Sequence, residues 1–226
     1  TISENKMVRV DATFGRRALL LTVPLSVPLM PPPAKARSLV REGMDAFARN
    51  RVEEAISMYD EVITQQPAAR PYLWQRGLAL FYADRFADGA EQFATDVSVN
   101  PNDTEEFIWH LLCLARVKGS LEAARSSMLK VGVDRRPVMR AAQGLFAGET
   151  GEAPLEAFAT GNATDAFYAN LYLALYWEAT GEATRARECM GRAVGGRYGS
   201  GDPMYDLARV HMLRRAWLSP GNDREL

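Results

Sequence analysis

Two consecutive stretches decide the fold: Arg37–Pro67, RSLVREGMDAFARNRVEEAISMYDEVITQQP, and Pro71–Pro101, PYLWQRGLALFYADRFADGAEQFATDVSVNP. Offset by 34 residues, they pair Leu39 with Leu73, Gly43 with Gly77, Tyr59 with Phe93 and Pro67 with Pro101. A period of this length marks supersecondary units that bury their apolar faces against one another. Apolar residues recur at helical spacing inside each stretch, and alternating β-branched runs are scarce. A small residue at Gly43 or Gly77 lets the two helices of a unit approach closely, and Ala55 and Gly89-Ala90 serve the second helix in the same way. Tyr59 and Phe93 are expected to fill the space between adjacent units. Pro67 and Pro101 end the second helix.

With these residues in place, the repeat resembles the tetratricopeptide repeat, a helix–turn–helix unit. The resemblance covers roughly residues 37–217. It implies an all-α fold: a helical-hairpin solenoid of about three to four units, a C-terminal capping helix and an extended N-terminal arm. A third unit starts at Asn100-Pro101-Asn102-Asp103, with Asp103 and Glu106 spaced as a capping box. Phe107, Leu111 and Leu114 occupy its first helix and Leu121–Val131 its second. A helix at about Pro137–Phe146 then breaks the period, and a glycine-rich stretch runs from Gly148 to Gly161. Phe167–Thr180 and Glu182–Val194 form a degenerate fourth unit stopped by Gly195-Gly196. Asp202-Pro203 opens a last helix through about Trp217, with aspartate as N-cap and proline in the first turn. That helix is expected to cover the exposed face of the final repeat. Residues 218–226 form a tail.

In that family the first helix of each unit lines a concave face. The resemblance places Arg37, Val40, Met44 and Phe47 there, then Pro71, Trp74, Leu78 and Phe81, then Glu105, Ile108, Leu112 and Ala115. The lysine–asparagine clamp by which many relatives hold a C-terminal carboxylate is missing from these positions. What remains is an apolar groove, with Val40, Met44, Phe47, Trp74, Leu78, Phe81, Ile108 and Leu112 as candidate partner-binding residues. Either the chain's own later helices or residues 18–30 fill it, or it takes an apolar helix or extended segment of a partner on anchors such as Met44, Trp74 and Phe81.

Residues 1–36 are different material. Arg16-Arg17 precedes an apolar run that includes Leu19, Leu20 and Leu21, then Pro24, Pro28 and three consecutive prolines. The run is too short to span a bilayer as a helix. Its layout resembles a twin-arginine export signal, or the second half of a thylakoid-lumen targeting sequence. Its prolines also suit a retained, extended arm. The expected place is the plastid thylakoid lumen, with the bacterial periplasm or another exported compartment as the alternative.

Composition excludes little beyond nucleic acid. The chain is 47% hydrophobic and 24% charged, with a formal net charge of −1, so no basic face is expected for a polyanion. Cys113 and Cys189 read as buried thiols. His110 and Cys113 lie one helical turn apart but lack the further ligands of a zinc site. His211 has no nucleophile signature around it. Asp134-Arg135-Arg136 reads as a solvated charged turn. No catalytic residue, metal or cofactor is expected. The sequence therefore points to a non-catalytic interaction module, an accessory or assembly subunit docking peripherally on a membrane complex. A self-associating scaffold, with a second copy in the groove, is the alternative, and an enzyme or metal-binding protein with an unrecognised site comes third.

Overall fold

Proline and aspartate punctuate the chain, and the helices run between them. The computed structural model describes residues 34–199 and 201–218. Arg16, Arg17, Leu19, Leu20 and Leu21 lie outside the described residues. Every regular element among the described residues is helical: α1 (Ala34–Ala48), α2 (Val52–Gln65), a 3-10 segment (Pro67–Tyr72), α3 (Trp74–Tyr82), α4 (Phe86–Val99), α5 (Thr104–Lys118), α6 (Leu121–Arg125), α7 (Pro137–Ala147), α8 (Ala153–Glu156), α9 (Ala163–Ala179), α10 (Ala183–Val194) and α11 (Pro203–Arg214). None is long and apolar enough to cross a membrane.

Consecutive helices pack as hairpins, α1 on α2, α3 on α4, α5 on α6 and α9 on α10, and neighbouring hairpins stack through α2–α3 and α4–α5. In α2 the buried set Val52, Ala55, Ile56, Tyr59 and Val62 keeps to one helical stripe. That helix stops at Gln65, because the chain approaching Pro67 is driven out of the helical region. α4 stops in the same way at Val99, before Pro101.

Glycine sets the closeness of the first two hairpins. A Cβ on Gly43 would stand 2.7 Å from the Tyr59 ring, and one on Gly77 would stand 2.6 Å from the Phe93 ring. Each aromatic ring thus lies flat on the glycine of its own hairpin. The same rings also face the following hairpin, Tyr59 beside Trp74 and Leu78 and Phe93 beside Glu106 and Trp109. Gly89 serves the junction as well, since a Cβ there would meet Cys113 Sγ at 3.0 Å.

Two expectations need revision. The helix expected over Leu121–Val131 ends at Arg125. Ser126 bonds back through its hydroxyl to the Ala123 carbonyl at 2.8 Å, an alternative to helical continuation. The chain then returns toward the Asn100–Asp103 turn, where Gly132 N–H donates to the Pro101 carbonyl at 2.8 Å. At α5 only half of the expected capping box forms. Asp103 Oδ1 accepts from the Glu105 and Glu106 N–H groups at 2.9 and 3.2 Å. The Asp103 N–H goes to the Asn100 carbonyl at 3.2 Å, so the Glu106 side chain is released from capping.

α11 decides the architecture. Met204, Tyr205, Leu207, Ala208, Val210, His211 and Met212 are all buried, which leaves this helix little polar surface. It packs on α10, as a covering helix should, and also reaches α1 at the other end of the stack. Arg214 Nε donates to Asn50 Oδ1 at 2.7 Å, and Tyr82 Oη lies 2.9 Å from His211 Nδ1. The last helix therefore closes the stack onto its first hairpin. Trp217 folds back beyond it, its ring 5.1 Å from that of His211.

Candidate functional site

The inner face of α1, α3 and α5 is mostly occupied by the chain itself. Phe47, Leu78, Phe81, Ile108 and Leu112 are buried in one continuous core that also contains Leu207, Ala208 and Val210 of α11. Val40 is half-buried against Ala36, Val62 and Leu73 at the base of the first hairpin. Met44 and Trp74 keep partial exposure. They border a small pocket against Pro203 and Asp206 of α11.

From Trp74 a larger cleft of about 350 Å³ opens between α3, α5, the segment before α7, α9 and the start of α11. That volume lies at the lower end of the range, roughly 300–1,000 Å³, in which small ligands are held. It is lined by the aromatic Trp74, Trp109 and Tyr168 and by the polar Asp103, Glu105, Glu106, Arg136 and Asp202. Among the described residues no three His, Cys, Asp or Glu side chains gather in a metal-holding set.

Most of these charges already have partners. Asp103 Oδ1 caps α5, and its Oδ2 accepts from Asn100 Nδ2 at 2.9 Å. Asp202 Oδ1 caps α11 through Met204 N–H at 2.8 Å, and its Oδ2 accepts from Tyr198 Oη and, at 3.4 Å, from Tyr168 Oη. Arg136 gives Nη1 to Glu105 at 2.7 Å and Nη2 to Asp134 at 2.8 Å. Burial works against the charge of Asp134, but the hydrogen bonds from Arg136 outweigh it and hold the carboxyl below its ordinary range. The segment expected to be a solvated turn is thus an ion-paired clamp joining α7 to α5, with the guanidinium 5.5 Å from the Tyr168 ring centre.

Glu106 and Trp109 are the exceptions. Glu106 is 7% exposed and Trp109 1%. Both line the cleft, yet Glu106 Oε2 has no donor and Trp109 Nε1 no acceptor. Burial, then the negative charges of Asp103, Asp96 and Glu105, push the Glu106 carboxyl up to about 9. Asp96 sits behind it, also buried and pushed up to about 8 chiefly by desolvation, with Oδ2 unbonded. A buried polar group without a partner costs about 1–3 kcal/mol, so each such atom calls for an explanation.

A second polar group lies at the other end of α3. His211 Nε2 stands 3.2 Å from Glu178 Oε2, close but out of line for a hydrogen bond, and Glu178 also pairs with Arg215. Burial, then the Arg215 charge, lowers the His211 imidazole to about 3, so it is neutral and acts as a strut between α3 and α11. His110 is buried and neutral as well, lowered to about 4 by desolvation and then Lys118.

No family model matches the chain, and a search of curated proteins finds no significant match. The site therefore stands on its own geometry. Of the residues expected from the sequence, Trp74, Leu78 and the inward-facing Glu105 belong to the cleft. Glu106, Trp109, Arg136, Tyr168 and Asp202 were missed. The spacing of Glu106 and Trp109, which sets them one turn apart on the same side of α5, was the available signal.

Proposed function

We propose that the chain is a tetratricopeptide-type helical repeat module that binds a polypeptide and catalyses no reaction. The glycine–aromatic pairs Gly43–Tyr59 and Gly77–Phe93 and the proline exits at one spacing support that repeat type. One observation carries the binding reading: α11 fills the deep part of the inner face but leaves Trp74 lining an open cleft, with Met44 at a small pocket beside it. A half-buried tryptophan beside a concavity is the residue type on which binding energy concentrates. The partner then lies along the mouth of the cleft, since the groove that the apolar pattern suggested is already occupied.

Panning a random peptide library on the immobilised protein tests this. A recurrent motif whose binding is lost in Trp74→Ala, with unchanged thermal unfolding, is the expected result. Enrichment no better than bare resin, or enrichment indifferent to Trp74, overturns it.

The proposed setting is that of an accessory or assembly subunit docked on a membrane complex at the lumenal side of the thylakoid. The signal-like layout of Arg16-Arg17 and Leu19–Leu21 supports it. Mass spectrometry of the native protein tests it: a mature N-terminus near Arg37 fits an address that is removed, and a start near Thr1 overturns that use of the arm.

A further inference from the structure

We infer that the cleft between Trp74, Trp109 and Tyr168 is a binding site for an organic cation, an alkylammonium or guanidinium group, with Glu106 as its counter-ion. The inference deepens the polypeptide reading above, for which an arginine or lysine side chain of the partner supplies that group.

Three observations lead here. The cleft is an open concavity of about 350 Å³ lined by Trp74, Trp109 and Tyr168, and aromatic rings attract cations through their quadrupole. Other polar groups that line it are spent, because Asp103 and Asp202 cap helices and Arg136 is fastened to Asp134 and Glu105. Glu106 is not spent: it is more than nine-tenths buried, it lines the cleft, and Oε2 has no donor. An anion is disfavoured at the same spot. Asp103 and Glu105 act on Glu106 as negative neighbours, and Arg136, the one cation among the described residues that line the cleft, is already shared between two carboxylates.

The proton follows from that field. In the empty cleft Glu106 holds its proton to about pH 9, because it is buried among like charges. An arriving guanidinium supplies the missing opposite charge, so the carboxyl ionises, its proton goes to solvent and an ion pair takes its place. Charge balances: one cation enters as one proton leaves. The groups that face this exchange are Asp103 before α5, Glu105 and Glu106 on α5, Asp96 on α4, Arg136 before α7, Tyr168 on α9 and Asp202 before α11. With a guanidinium probe, which keeps its charge throughout, affinity rises about tenfold per pH unit up to the Glu106 pKa.

The test is calorimetric titration of the folded protein with n-butylguanidinium, n-butylammonium and neutral 1-butanol, in two buffers of different ionisation heat. The same titrations are made with acetyl-Gly-Arg-Gly-amide and its citrulline counterpart. Both cations are expected to saturate with a Kd on the order of 1 mM for such small probes. The neutral analogues should bind at least about tenfold more weakly, the weight of one desolvated charge pair. A buffer-dependent heat should report proton release. Glu106→Gln should lose the cation preference and the proton release while keeping its circular dichroism and melting no lower than the wild type.

Equal binding of 1-butanol and butylguanidinium, or an undisturbed preference in Glu106→Gln, overturns the inference. Binding of the free cation without the arginine peptide supports the cation site and overturns the polypeptide reading. Library-selected peptides that bind without a basic residue, and equally well to Glu106→Gln, do the reverse.

Discussion

Single atoms decide much of this protein. At Gly43 and Gly77 the missing Cβ is what allows an aromatic ring to lie on the opposite helix, at 2.7 and 2.6 Å from where that carbon would stand. Gly77→Ala must therefore push the Phe93 ring or spread α3 from α4, at a cost of about 1–3 kcal/mol despite the gain in helix propensity. Denaturant titration measures this, and a neutral or stabilising Gly77→Ala would mean that the ring moves freely. Glu106 makes a prediction of opposite character. Its proton stays on to about pH 9 in the folded chain, while the unfolded chain gives it up near the ordinary carboxyl value. The unfolded state therefore binds fewer protons between those values, and this residue's share of stability falls as pH rises from about 5 to 9. Replacing it by Gln removes that loss. Glu106→Gln should gain on the wild type with rising pH, by an amount on the order of a few kcal/mol at the alkaline end. Urea midpoints from pH 5 to 9 check it, and parallel curves would contradict the buried, unpaired placement.

At the scale of elements, most boundaries were legible because they rest on local chemistry. Proline at 67 and 101, the Asp202-Pro203 pair and the glycine after α5 act on the residues beside them. The failures have equally physical causes. Ser126 turns α6 aside with a side-chain bond that a pattern of apolar residues does not register. Asp134-Arg135-Arg136 looked solvated because its partner Glu105 lies 31 residues earlier. Glu106 was assigned to a capping box and is instead the open group of the cleft. The position of α11 was the largest gap: its apolar residues announce burial, but only tertiary packing says against what. Leu207 is fully buried in that core, so Leu207→Ala should cost about 2–5 kcal/mol. A loss below 1 kcal/mol in chemical denaturation would place α11 at the margin of the fold.

For the whole molecule, the important fact is that the stack is closed. Open repeat arrays unfold by parts, since each unit touches only its neighbours. Here α11 contacts both α10 and α1, and Tyr82 meets His211 across 129 residues. The two ends should therefore open together. Ala208 is completely buried on α11, and Ala208→Glu should dislodge the helix. Hydrogen exchange should then show lost protection in Ala34–Ala48 as well as in Ala183–Val194. Loss confined to α10 would mean that α1 holds without its distant neighbour.

That long reach also has a meaning during synthesis. The inner faces of α1 and α3 are made early, and α11, which packs into the same core, is made much later. At ordinary elongation rates of about 5–20 residues per second, the 129 residues between Tyr82 and His211 take roughly 6–26 s to be added. For that interval Phe47 and Leu78 lack the Leu207, Ala208 and Val210 side chains that share their core. The ribosome thus presents, for that time, the open apolar groove that the finished protein keeps shut, and a chaperone has its best opportunity to bind there.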